Sequence, residues 1–136
     1  MSGAVSGIEG KVIVVTGAAS GLGFADARLL ASQGAHVVMT DIDVERGSAL
    51  AKEIGAIFLA HDVSDEDRWG QVMLDVEAKY GRLDGLVNNA GVAHIANIEN
   101  TSSKVWRNTM AIHLDGMFFG CQPAIKLRKT TRRGSI

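Results

Sequence analysis

Three glycines, Gly17, Gly21 and Gly23, crowd the stretch "VVTGAASGLG" (Val14 to Gly23), directly after a β-branched run. A glycine turn between a strand and a helix leaves free backbone amides at the helix start, and those amides attract an anion. In such a turn Gly17 permits the tight bend, Gly21 lets the backbone approach a phosphate, and Gly23 lets helix and strand pack closely. With 16 glycines in the chain, an ordinary glycine-rich turn is an equal reading of the spacing alone. The context favours a cradle. Asp41 ends the next apolar run, placed to accept hydrogen bonds from both hydroxyls of an adenosine ribose. A 2′-phosphate there would meet like charge, costing about 4 kcal/mol per pair at ~4 Å and an effective dielectric of ~20. Ser20 is neutral where that phosphate would need a cation. Both features favour NAD over NADP. The competing reading of Asp41 is a loop carboxylate capping the next helix.

The elements that must position these residues alternate. "KVIVVT" (Lys11 to Thr16), "AHVVMT" (Ala35 to Thr40), "AIFLA" (Ala56 to Ala60) and "LDGLVN" (Leu83 to Asn88) read as strands, and "GSI" (Gly134 to Ile136) as the start of a fifth. Helices are predicted over 21–33 and 44–54, with Gly34 and Gly55 as stops. Ser64 and Asp67 form a capping pattern before a helix whose inner face is Trp69, Val72, Met73, Val76 and Tyr80. A long apolar helix follows from Thr101 or Ser102 to about Leu127, with a bend expected at Pro123. Strands alternating with helices predict an α/β fold, a doubly wound parallel sheet with right-handed crossovers.

The balance of 14 basic and 15 acidic residues, net −1, argues against nucleic acid or an anionic membrane as main partner. No apolar run reaches the ~20 residues that span a bilayer. Cys121 is the sole cysteine, which excludes an intrachain disulfide and suits the cytoplasm. His36, His61, His94 and His113 show no metal-ligand spacing, so no metal is expected.

Taken in order, "TGAASGLG" (Thr16 to Gly23), "HDV" (His61 to Val63) and "NNAG" (Asn88 to Gly91) resemble the short-chain dehydrogenases/reductases over essentially the whole chain. The flavour is that of bacterial hydroxysteroid or secondary-alcohol dehydrogenases. The resemblance implies a Rossmann-like fold and NAD-dependent hydride transfer between the nicotinamide and a secondary alcohol or ketone, a steroid or cyclic alcohol among the options. It implies that Thr16 to Gly23 hold the pyrophosphate, with Ser20 and Leu22 contacting cofactor, and that Asp41 holds the adenosine ribose. Asp62 and Val63 would border the adenine. Asn89, Ala90 and Gly91 would carry the backbone beside the nicotinamide ribose. It also implies a homo-oligomer joined through the helix at 102–127. Read without the resemblance, Asp62 is equally a helix-capping carboxylate, and Asn88 and Asn89 equally satisfy loop amides.

Two departures stand out. The family's catalytic serine, tyrosine and lysine follow the fifth strand, which here has only begun at Ile136. The one tyrosine, Tyr80, has Asp84 four residues on and reads as core, and Ser135 precedes the serine's place. Residues 1–136 are therefore expected to be a single, incomplete NAD-binding domain without turnover of its own. The alternative is a catalytically inactive nucleotide-binding or assembly fragment. Second, in "IHLDGMF" (Ile112 to Phe118) His113 occupies the position of the family's catalytic asparagine, whose backbone carbonyl helps hold a relay water. A histidine there could keep the backbone role, add a titrating ring, or abolish the relay. Trp106, Met110, His113 and Met117 are expected on one helical face, where a histidine is usually a satisfied core residue.

Overall fold

A computed structural model describes residues 7–129 and 131–136. Four strands form one parallel sheet: β1 (Val12–Thr16), β2 (His36–Asp41), β3 (Ile57–Ala60) and β4 (Gly85–Val87), in the order β3-β2-β1-β4. The chain steps outward from β1 to β3, then returns to place β4 on the other side of β1. That reversal opens a crevice beyond the carboxyl ends of β1 and β4. All five residues of β1 are buried, as a strand covered on both faces requires.

Side chains alternate across β1 and build two cores. Val12 and Val14 join Trp69, Met73, Val76, Leu86, Ala124 and Leu127 on one face. Ile13 and Val15 join Ala27, Val37, Met39 and Ala51 on the other. The first face is covered by α3 (Glu66–Tyr80) and α5 (Gly116–Arg128), the second by α1 (Gly21–Ser32) and α2 (Val44–Ile54). Gly55 and Gly81 end α2 and α3 in the left-handed conformation. At the amino end of the sheet Asp84 bridges β1 and β4. Its Oδ2 accepts the Val12 amide at 2.9 Å, and Arg82 pairs with both its oxygens. Burial alone would raise this carboxyl. The Arg82 and Val12 hydrogen bonds outweigh it and hold Asp84 below the usual range.

The expected fifth strand begins as a single parallel bridge. The Ser135 amide donates to Asp84 O and its carbonyl accepts from Leu86 N, beside β4.

Two expectations are corrected. The cap of α3 is Asp65, whose carboxylate accepts the Arg68 amide, and not Ser64. Asp62 draws both the Ser64 amide and hydroxyl onto its Oδ1, so the serine is occupied one residue early. The long helix is also not continuous. It runs as α4 (Ser103–Met110), capped by Ser102 as expected, then a π turn (Ala111–Asp115), then α5. The π turn resets the phase of α5 so that Gly116 and Gly120 face inward. A Cβ on Gly116 would sit 3.0 Å from Val63, and one on Gly120 would sit 2.6 Å from the Trp69 ring. The face predicted to join Trp106 with His113 is broken there, and Trp106 stays exposed. Pro123 lies inside α5 without ending it.

Candidate nucleotide site

The exits of β1 and β4 are stitched together. Thr16 Oγ1 accepts the amides of Asn89 and Ala90, each at 3.0 Å, and donates to Val87 O. The Asn89 side-chain amide donates back to the carbonyls of Thr16 (3.1 Å) and Gly17 (3.2 Å). This network sets two glycines. Gly17 has φ +63°, and a Cβ on it would lie 2.7 Å from Ala90 Cα. A Cβ on Gly23 would overlap the Gly17 carbonyl and the Asn89 side chain. Gly21 by contrast faces open space.

Beyond this junction lies a cleft of about 640 Å³. Its walls include Gly17, Ser20, Gly21, Leu22, Asp41, Asp62, Val63, Asn89, Ala90 and Gly91. Of the stretch Thr16 to Gly23, the buried Thr16, Ala18 and Ala19 and the packed Gly23 are not on the wall; the other cofactor residues read from sequence are. Ile42, His61, Ser64, Val92, Asn108 and Ile112 complete the lining, none of them assigned to the cofactor from sequence. The place of Ile42, His61, Ser64 and Val92 depends on where β2, β3 and β4 end.

The cleft offers an anion cradle. Ser20 takes the N-cap position of α1 but its side chain makes no cap bond. The amides of Gly21, Leu22 and Gly23 precede Phe24, the first amide to donate within the helix (to Ser20 O), and so are left without an intrahelical acceptor at the helix end. Beside them Asp41 is held by two backbone donors: Ala19 N to Oδ2 and Asp43 N to Oδ1, each at 3.0 Å. The capping reading of Asp41 is corrected: Asp43 caps α2, and the Asp41 carboxylate instead ties the glycine loop to the β2–α2 turn. A carboxylate has about four lone-pair sites, so both oxygens retain acceptor capacity toward the cleft.

His61 forms part of the floor. Its Nδ1 lies 3.0 Å from Thr40 Oγ1 and its ring packs edge-on against Trp69, with centroids 4.3 Å apart. Nε2 is buried without a hydrogen-bond partner among the described residues. Burial, then the charge of Arg68, lower its pKa to about 4, against opposing pulls from Asp62 and Asp65. The floor is thus uncharged at neutral pH. Asp62 stands exposed at the rim with Oδ1 committed to Ser64.

His113 lies behind the wall, not on it. Its Nε2 is within hydrogen-bond distance of both backbone groups of Val92, and its ring rests on Gly91. Tyr80 packs against His36, at the amino end of β2, opposite the cleft. Burial raises its phenol pKa, the reverse of what a general base needs.

Comparison with known proteins decides the lineage. Residues 11–136 match the sequence profile of the short chain dehydrogenase family. The chain belongs to that family. Curated relatives include a 3-beta-hydroxysteroid dehydrogenase of Comamonas testosteroni, 40% identical over 131 residues, covering 95% of this chain and 51% of that protein. An NADP-dependent (R)-specific alcohol dehydrogenase of Lentilactobacillus kefiri is 36% identical over 132 residues, with 94% and 52% covered. Among solved structures, a short-chain dehydrogenase/reductase of Brucella melitensis superposes with a TM-score of 0.86 at 31% identity, over 89% of this chain and 51% of that one. The chain spans about half the length of the curated relatives it matches. The short-chain dehydrogenase fold, a Rossmann-like parallel sheet, is thus shared. Among the described residues no helix is long and apolar enough to cross a membrane.

Proposed function

We propose that this chain supplies the NAD-binding part of an oxidoreductase that exchanges hydride between NAD(H) and a secondary alcohol or ketone, with steroids and cyclic alcohols as the first substrates to try. The observation that carries it is the pairing of a free helix N-terminus with Asp41, whose carboxylate is oriented in advance by Ala19 and Asp43. A nicotinamide bound here would supply the hydride donor or acceptor. The chain's own residues do the rest. The amides of Gly21 to Gly23 bind the pyrophosphate. Asp41 takes the adenosine ribose hydroxyls and repels a 2′-phosphate. Val63 and Asp62 flank the adenine. The Asn89–Gly91 backbone, fixed by Thr16, borders the nicotinamide ribose and orients the reacting ring.

The test is affinity. NADH should bind at least tenfold tighter than NADPH by calorimetry, and Asp41→Ala should erase most of that gap. Equal or tighter NADPH binding by the unmodified protein overturns the NAD assignment.

A second reading, a nucleotide-binding or assembly module without turnover of its own, is favoured by Tyr80, the sole tyrosine, lying at the wrong end of the sheet. Trp106, Leu114, Phe118 and Ile125 are exposed along α4, the π turn and α5, as self-association through this stretch would need. Light scattering should give a species larger than a monomer, and Trp106→Asp with Phe118→Asp should dissociate it. The cytoplasm is the proposed location, on the strength of the unpaired Cys121.

A further inference from the structure

The charges of this chain nearly cancel in total, yet they are segregated between the two ends of the sheet. Asp43, Glu45, Asp65, Glu66 and Asp67 cap or open α2 and α3, at the cleft end. No acidic residue follows Asp115, and "KLRKTTRR" (Lys126 to Arg133) puts five basic residues in eight positions. α5 starts beside the cleft, with Gly116 against Val63, and ends at the opposite end of the sheet, where Arg128 and Gly134 lie against Asp84.

Hydrogen bonds join that opposite end into one row. His36 N donates to Lys11 O at 2.7 Å, Asp84 N to Val12 O at 2.8 Å and Ser135 N to Asp84 O at 2.9 Å. At ~4.8 Å per strand the four neighbouring segments span roughly 14 Å. Arg132 and Arg133 stand at one margin of the row. At the other the His36 ring rests on Tyr80, with centroids 5.2 Å apart, and Lys79 Nζ is 5.8 Å from the Tyr80 centroid. Tyr80 packs on the core, so the exposed His36 is the outer member of the pair. Thr131 Oγ1 lies 2.9 Å from the Arg128 carbonyl and 2.8 Å from that of Arg133, which ties down the turn carrying both arginines.

Lys79, Lys126 and Arg128 complement the C-terminal ends of α3 and α5. Lys11, Arg132 and Arg133 lie outside the helices, and no carboxylate among the described residues pairs with them. Asp84 is already neutralised by Arg82, which leaves Glu9, Glu53 and Glu77 as the other acids of this end.

We infer that this end of the sheet binds single-stranded nucleic acid, with phosphates on Lys11, Lys129, Arg132 and Arg133 and a base on the His36–Tyr80 pair. A row of cations beside an exposed ring suits a single strand, whose bases are free to stack. A bilayer would want apolar anchors beside the charges. The exposed aromatics Trp106 and Phe118 stand instead on α4 and the first turn of α5, toward the cleft end. The surface is independent of what the cleft holds.

The experiment is fluorescence anisotropy of a short labelled oligo(dT) at rising salt. Binding should weaken with salt, log K falling by about 0.7 per log unit for each phosphate held. Arg132→Ser with Arg133→Ser should flatten that slope by about 1.4 and weaken binding at low salt about tenfold. Lys11→Ser with Lys129→Ser serves as a second pair should the first disturb folding, which a melting curve reports. His36→Ser should weaken binding about fivefold and leave the slope alone. No binding at about 50 mM salt, or an affinity that neither cation pair changes, overturns the inference. So does displacement of the oligonucleotide by NADH, which puts it in the cleft, or by vesicles of phosphatidylserine and phosphatidylcholine, which makes the surface a membrane contact. Tighter binding to a duplex, or no effect of His36→Ser, overturns the stacking of a base.

Discussion

The two ends of the cleft are built differently. At the Asp41 end the wall is tied by hydrogen bonds: Asp41 by two amides, His61 by Thr40, the glycine loop by Asn89. At the far end the chain leaves β4 into residues 91–100, all exposed, with Ile95 at 98% and Ile98 at 90%. There His113 reaches back from the π turn onto Val92. The contrast separates two tasks. The anchored end is suited to holding one fixed ligand group, as rigid strand exits are. The open end is a loop on a scaffold, where specificity is adjusted at little cost to the fold.

Gly23→Ala should break the anchored end outright, because its methyl would collide with the Gly17 carbonyl and the Asn89 amide. The expected loss is about 3 kcal/mol of stability, with NADH binding abolished. A melting curve and a titration of the same sample check both.

The floor gives the next largest effect. His61 is held at about 4, while an unfolded histidine titrates near 6.5. The unfolded chain therefore binds the proton more readily. Stability is full above about pH 6.5, falls as the pH drops toward 4, and flattens below that, for a total of up to about 3 kcal/mol. His61→Gln, which keeps a partner for Thr40, should remove most of this slope in urea unfolding. A slope that survives the substitution assigns the acid sensitivity elsewhere.

Ile95→Ser should do almost nothing to the fold, within about 0.5 kcal/mol, and should leave NADH affinity unchanged. A large loss at this exposed site would erase the distinction between the two ends.

Much of this architecture is legible from the chain. The β-branched runs at 12–16 and 36–41 announce buried parallel strands, and the glycines between Thr16 and Gly21 announce the strand-to-helix turn, because each signal is local. The periodic face of α3 is equally plain. What escapes is set by contacts between distant segments. Periodicity projected through 103–127 assumes one helical phase, whereas the π turn at Ala111–Asp115 interrupts it ahead of Gly116 and Gly120, which lie against Val63 and Trp69. The capping pattern points one residue early, to Ser64, because Asp62 competes for that serine. His61 gives no sign in sequence that it will be buried, since its environment comes from Thr40 and Trp69. His113 reads as core on an unbroken face, and the break turns it onto the β4 loop instead.

The two tryptophans live in opposite surroundings. Trp69 is 1% exposed, with its indole N–H bonded to the carbonyl of Val63 and His61 against its ring; Trp106 is 60% exposed. The chain thus carries a pair of optical probes with separable colours. Blue-shifted emission from the first reports on the interior and on the charge of the imidazole beside it, while red-shifted emission from the second reports on whether anything covers the outer helix.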